Sequence, residues 1–276
     1  MPNVTLFGAR GAGKTCYLYY NLLKLPDADL SELGADLHGP IQFSNVVQKR
    51  IDHLKWPIPT SDSSSDGTRT EVIVNFQEKG FFGGEVELVV PDRSGEVFLA
   101  FCEHNSADDR RRKQAGEPKR EPQLFEQACN LLDGSNGIIL VLDAERIFNL
   151  DSDAYLSRYN EFLSNAERLC GFNELNKCPL LVVLNKSDTC GKSMKKRFEE
   201  GDSVVRYLRT QGDRQGTSLV QTVKETFSKE QTIWTWHSST GKVLKDDQPD
   251  YATFWKLDAD MYTSSFRSFL RLVIGA

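Results

Sequence analysis

The sequence predicts a three-layer α/β domain: a mostly parallel sheet with helices on both faces. Three observations predict it. The runs IILVLD at 138–143 and LLVVLN at 180–185 are almost continuous Val, Ile and Leu, the composition of parallel strands buried on both faces. Apolar β-rich runs alternate with longer helical stretches along the chain. Near the start, Val4-Thr5-Leu6-Phe7 leads through a glycine-rich loop, GARGAGKT at 8–15, into a helical stretch.

Taken in order, a strand is expected over 3–7 and a helix over 14–25. The connection 26–56 is expected to be partly helical. WPIPTSDSSSDGTRT at 56–70 is rich in Pro, Ser and Asp and reads as a loop. Polar and apolar residues alternate over 71–76 and 85–90, and turn-rich QEKGFFGG separates the two runs. They predict an antiparallel hairpin at one edge of the sheet. EHNSADDRRRKQAGEPKREP at 103–122 is densely charged, a flexible loop or a solvated helix. Helices are expected over 124–132, 153–169, 193–207 and 258–274, and strands over 137–143, 179–185 and 232–237. Asp143 is placed to cap 144–148. Trp234 and Trp236 alternate in the last strand, so one or both are expected in the core, and His237 reads as a strand-end residue. FRSFLRLVI near the end has helical apolar spacing and is expected to dock on the sheet. The chain, 1–276, is expected to be one domain, with insertions at about 26–70 and 103–122 and this C-terminal docking helix.

The 276 residues are ample for a buried core. A net charge of −5 provides no basic field to recruit nucleic acid or anionic lipid. No apolar run approaches the roughly 20 residues that cross a bilayer. The chain enters a strand almost at once with no leader pattern, so a cytoplasmic protein is expected. Six cysteines form no C-x-x-C pair and read as reduced thiols.

Three motifs carry chemistry. GARGAGKT matches G-x-x-x-x-G-K-[ST]. Its glycines let backbone N–H groups of Ala9, Gly11, Ala12, Gly13, Lys14, Thr15 and Cys16 wrap phosphates at a helix N-terminus. Lys14 would reach the β- and γ-phosphates and Thr15 would ligate Mg²⁺. Asn185-Lys186-Ser187-Asp188 follows a buried strand, where open α/β sheets bind ligands. The Asp188 carboxylate would accept two hydrogen bonds from guanine N1–H and the exocyclic amine, a donor pair that adenine lacks. The Lys186 stem would lie over the base, and Asn185 would tie this loop to the phosphate loop. In LVVPDRSGE at 88–96, Asp92 would hold Mg²⁺ through water, and the Gly95 N–H would sense a γ-phosphate.

These three motifs, in this order and at strand ends, resemble the Ras-like P-loop GTPases of the translation-factor-related class, over roughly residues 3–240. The resemblance implies a six-stranded sheet of order 2-3-1-4-5-6 with strand 2 antiparallel, GTP and GDP as ligands, Mg²⁺ as cofactor, and a protein effector or activator. It implies that Ser238 and Ser239 contact the guanine. It also implies a first-switch threonine that reaches Mg²⁺. Thr60, Thr68 and Thr70 are the candidates, and Thr68 is favoured. GARGAGKT, WPIPT and PDRSGE together look like the bacterial double-GTPase type, whose members are predicted to act in regulatory or conflict systems.

Two positions depart from the family pattern. Glu96 stands where Ras-like proteins often carry a water-orienting Gln. Arg10 stands where they usually carry Gly, to obstruct, to face solvent, to pair with Glu96 or Asp92, or to stabilise charge in cis. Lys14, Arg10, Glu96 and Gly95 thus form the candidate catalytic set, and turnover is expected to be slow. Two rivals stand beside this reading. One is an AAA-like ATPase in which LVLDA at 140–144 supplies the acid. The other is a nucleotide-binding scaffold without hydrolysis.

Overall fold

The computed structural model describes residues 2–27, 30, 33, 35–42, 71–79, 85–91, 95–103, 122–148, 152–186, 204–237 and 259–275. The strands are β1 (Val4–Phe7), β2 (Ala35–Leu37), β3 (Glu71–Glu78), β4 (Glu85–Pro91), β5 (Gly137–Asp143), β6 (Leu180–Asn185) and β7 (Thr232–Trp236). The helices are α1 (Lys14–Lys24), α2 (Gly95–Glu103), α3 (Pro122–Asp133), α4 (Ala144–Phe148), α5 (Ser152–Cys170), α6 (Phe172–Lys177), α7 (Val204–Gln211), α8 (Asp213–Thr226) and α9 (Ala259–Ile274).

The strands form a four-stranded parallel sheet, β1-β5-β6-β7, and a three-stranded antiparallel sheet, β2-β3-β4. Among the described residues, a parallel bridge from Asn3 to Val89 joins β4 to the start of β1. Phe7 pairs with Leu140, and Asp143 with Asn185. The carboxyl ends of β1, β5 and β6 therefore lie side by side, which brings together the glycine-rich loop after Phe7, the start of α4 after Asp143, and Lys186 after Asn185.

The alternation hidden inside the apolar runs sorts the core. Ile138, Leu140 and Leu142, with Leu180, Val182 and Leu184, face α2, α5, α7 and α8. Ile139, Val141, Leu181 and Val183 face α1 and α9. The hairpin buries Val72, Val74, Phe76, Leu88 and Val90 in this second cluster, and leaves Ile73, Asn75 and Gln77 partly exposed. The last helix docks as its pattern predicts, burying Phe266, Phe269, Leu270 and Val273. A Cβ on Gly137 would come within 2.6 Å of Val273 and 2.9 Å of Phe269, so the absent side chain lets α9 sit close to β5. Trp234 and Trp236 are partly buried against the first cluster.

The connection 26–56 is described only in part, and it holds a strand that the sequence reading did not anticipate. Its described part is a 3-10 turn, Leu25–Asp27, and then strand β2, whose Ala35 and Leu37 pair with Glu78 and Phe76. That strand covers an otherwise open hairpin edge. A helix that the sequence reading did not assign, α2, also begins at Gly95. Its Val97, Phe98, Phe101 and Cys102 are buried, and Asn165 of α5 donates to the carbonyls of Phe101 at 2.7 Å and Cys102 at 3.4 Å, capping its end. Helix α8 was not anticipated. The helix expected over 193–207 is described only from Val204, and 187–203 lie outside the described residues. Among the described residues no helix is long and apolar enough to cross a membrane.

Candidate functional site

The glycine-rich loop crosses the carboxyl end of β1 and enters α1. Gly13 caps the helix at φ 81°, a left-handed conformation, and a Cβ there would collide with Asn185 Nδ2. Helix α1 starts with no side-chain cap and no acidic residue in its first turn. An anion completes such an N-terminus. Lys14 is buried, and its ammonium lies inside the loop, donating to the carbonyls of Gly8 at 2.9 Å and Ala9 at 3.2 Å. Thr15 and Cys16 follow in the first turn, both half-buried.

Asn185, at the end of β6, is fully buried. Its Nδ2 donates to Ala12 O at 2.8 Å, across 173 residues of sequence, and approaches Gly13 O at 3.4 Å. The tie between N-K-x-D and the phosphate loop, expected from the sequence, is thus formed. Its Oδ1 lies 2.9 Å from His237 Nδ1. Because the Asn185 amide nitrogen faces carbonyls, its oxygen must accept, so His237 carries its proton on Nδ1. The His237 N–H extends the β7 ladder to Leu184 O at 2.8 Å, which delivers the ring to Asn185. The ring is buried edge-on to Tyr17 and Tyr20, at 5.1 and 5.2 Å between centroids, and burial lowers its pKa from 6.5 to about 3.

Lys186 adopts φ 59°, and its Nζ lies 2.7 Å from Asp143 Oδ2. The other Asp143 oxygen accepts from the N–H groups of Glu145 at 3.0 Å and Arg146 at 3.4 Å, the predicted cap of α4. Gly95 sits directly beneath the loop, where a Cβ would collide with the Arg10 backbone. Arg10 NH1 lies 3.7 Å from Glu96 Oε1; the arginine side chain is 81% exposed and the glutamate 33%. Of the choices the sequence left open for Arg10, two hold together: its side chain faces solvent and also lies within ion-pair distance of Glu96, which stands in the first turn of α2.

Asp92, Asp188, Ser238, Ser239, Thr60, Thr68 and Thr70 lie outside the described residues. Sequence reasoning missed the part played by His237, and it missed Tyr155 and Tyr159 of α5. Tyr159 Oη accepts from Ala9 N–H at 3.1 Å and donates to Val141 O at 2.8 Å, and no motif marks it. Cys102, Cys129, Cys170 and Cys178 are free thiols, and burial pushes Cys178 up to about 12.

No family model matches the chain, and no curated protein matches it. Among solved structures it is similar to a bacterial selenocysteine-specific elongation factor, EF-Sec, at 11% identity and a TM-score of 0.34, over 88% of this chain and 27% of that chain. It is similar to SRb in the GTP-bound SRb/SRX complex of the signal recognition particle receptor from Chaetomium thermophilum, at 17% identity and a TM-score of 0.40, over 87% and 92%. It is also similar to the septin GTPase domain from Chlamydomonas reinhardtii, at 13% identity and a TM-score of 0.31, over 71% and 56%. The chain thus spans about a quarter of the elongation factor and about half of the septin chain. With likenesses this distant, the chemistry of the site rests on its own residues.

Proposed function

We propose that this chain is a guanine-nucleotide-binding switch of the Ras-like, translation-factor-related type, hydrolysing GTP to GDP slowly with Mg²⁺ and working with a protein effector or activator. One observation carries the reading: the 2.8 Å hydrogen bond from Asn185 to Ala12 joins the N-K-x-D strand end to the phosphate loop. Two motifs far apart in sequence converge at the carboxyl ends of β1 and β6, strands of one parallel sheet with β5 between them, at the end where α/β sheets bind nucleotides.

The proposed site follows from these residues. The uncapped N-terminus of α1 and the loop N–H groups would cradle the phosphates. Lys14 would exchange the carbonyls of Gly8 and Ala9 for phosphate oxygens, placing its charge where negative charge develops in transfer. Asp188 would read the guanine, with Ser238 and Ser239 beside it. Thr15, Asp92 and Thr68 would hold Mg²⁺, which supplies charge neutralisation for the β- and γ-oxygens. Glu96, in place of a water-orienting Gln and paired with Arg10, favours slow turnover. The order 2-3-1-4-5-6, which counts the six strands expected from the sequence so that β3 to β7 are its strands 2 to 6, a single domain over 1–276 and a cytoplasmic setting belong to the same proposal. So does the bacterial double-GTPase subtype, with its regulatory or conflict role.

The ATPase rival needs Asp143 as its acid. Both oxygens of Asp143 are engaged, one by Lys186 and the other by the start of α4, which favours the GTPase. The experiment is to denature the purified protein, identify released nucleotide by chromatography, and titrate GTP, GDP and ATP, followed by single-turnover hydrolysis. Guanine nucleotide bound by the wild type and lost in Asp188→Ala is expected. Adenine nucleotide, or indifference to Asp188→Ala, overturns the reading. Tight binding with no single-turnover product leaves the scaffold.

A further inference from the structure

Tyr155 and Tyr159 stand four residues apart on α5 and point together at the sheet, their hydroxyls 2.8 Å apart. A carbonyl only accepts, so Tyr159 donates to Val141 O at 2.8 Å. Its oxygen then accepts from Ala9 N–H at 3.1 Å and from the Tyr155 hydroxyl. Tyr155 in turn accepts from Asp143 N–H at 2.7 Å. The direction of every bond is thereby fixed, from Asp143 N–H through both phenols to Val141 O. Desolvation raises both phenol pKa values far above the physiological range, so the hydroxyls keep their protons.

The Ala9 N–H belongs to the same planar peptide as the Gly8 carbonyl, which holds Lys14 Nζ at 2.9 Å. One edge of this peptide is gripped by Tyr159 and the other presents the acceptor for the lysine. The opposing strand closes the third side, because a Cβ on Gly8 would stand 2.5 Å from Val141 O. The Tyr159 ring is locked by Phe98 of α2, with centroids 4.8 Å apart, and Phe98 packs on Phe162 at 5.4 Å.

We infer that Tyr159 is a positioning residue of the phosphate loop: its hydroxyl orients the Gly8–Ala9 peptide, and through the Gly8 carbonyl it sets where the Lys14 ammonium waits. Tyr155 sets the direction in which that hydroxyl points. This rests on the reading that the loop binds nucleotide phosphates, and it holds for either base.

The test is Tyr159→Phe, which keeps the ring against Phe98 and removes the hydroxyl. Tyr155→Phe is the second variant; it leaves the Ala9 and Val141 bonds in place and removes the donor that aligns them. Affinities for GDP and GMP, the release rate of GDP and the phosphorus NMR spectrum of bound GDP are measured. GDP release about tenfold faster is expected for Tyr159→Phe. The GDP-to-GMP affinity ratio should fall and the β-phosphate resonance should move, with smaller changes in the same direction for Tyr155→Phe. A general loosening of the fold would weaken GDP and GMP alike. An unchanged ratio and phosphorus spectrum in both variants overturns the assignment, whatever happens to the melting temperature. Wild-type protein that prefers ADP overturns the guanine reading alone, and the ADP-to-AMP ratio then tests the tyrosines. Wild-type protein that binds neither overturns both.

Discussion

His237 holds Asn185 from behind: its Nδ1 lies 2.9 Å from Asn185 Oδ1, while the same amide donates to Ala12 O at 2.8 Å. The imidazole thus sets the rotamer of the asparagine that joins the two loops. His237→Phe keeps an aromatic ring near Tyr17 and Tyr20 but leaves the buried Asn185 oxygen without this donor, at a cost of about 1–3 kcal/mol. The pH dependence separates the histidine from its neighbours. Unfolded, the imidazole titrates near 6.5; folded, it stays neutral down to about 3. Between these values the unfolded state binds the extra proton. Stability is therefore full above about pH 6.5 and falls as the pH drops toward 3, by at most about 1.4 kcal/mol per unit. Urea unfolding at pH 7.5, 6 and 5 should show this slope in the wild type and its loss in His237→Phe. Parallel slopes would show that the ring is not held neutral in the fold.

The Lys186–Asp143 contact predicts a different loss. Lys186→Met keeps a comparable apolar stem and removes the ammonium 2.7 Å from a buried carboxylate. Asp143 keeps its two N–H donors from α4, so the expected cost is about 1–3 kcal/mol rather than that of an isolated buried charge. Asp143→Asn should be milder, because the amide oxygen still caps α4. Denaturant midpoints of the two variants give the comparison; negligible losses in both would mean that the charge pair contributes nothing beyond the cap.

What the sequence made legible follows from burial. Runs such as IILVLD and LLVVLN are unambiguous because both faces of β5 and β6 are covered. The glycine-rich loop and N-K-x-D are legible because their chemistry fixes residue types at fixed spacing, and the contact of Asn185 with Ala12 follows from it. Helix α2 was readable in Val97, Phe98, Phe101 and Cys102, and α8 in Leu219, Val220 and Val223, both at helical spacing. Strand β2 is three residues long, too short for any period, and exists because an edge needed a partner. Tyr159 reaches Ala9 across 150 residues and His237 reaches Asn185 across 52, and no local pattern encodes such contacts.

Gly95 predicts a steric failure. It begins α2, buried against the Arg10 backbone, and a Cβ there would strike main-chain atoms that have no rotamer to yield. Gly95→Ala must push α2 off the phosphate loop, at about 1–3 kcal/mol, and should weaken nucleotide binding with it. Calorimetric titration with GDP alongside a urea curve checks both. Unchanged affinity and stability would show that α2 and the loop are free to separate.

The Arg10–Glu96 pair predicts opposite signs for its two halves. At 3.7 Å, with the arginine 81% exposed, it is a surface pair. Breaking it should change stability by no more than about 0.5 kcal/mol. Its effect lies on the reaction. Arg10 occupies the loop beside the place proposed for the γ-phosphate, and Glu96 brings a negative charge to the same edge. While the two are paired, the arginine compensates that carboxylate. Arg10→Ala removes that compensation and should slow single-turnover GTP hydrolysis by about threefold to tenfold. Glu96→Gln removes the repulsion and leaves the guanidinium its full charge, so hydrolysis should quicken by a similar factor. High salt should shrink both effects, because the pair is exposed. The double variant measures the coupling, and a rate near the wild type marks the charges as one compensated unit. A slower Glu96→Gln would reverse the assignment: the carboxylate would then be accepting a hydrogen bond from the attacking water, in the role that Ras-like proteins give to glutamine.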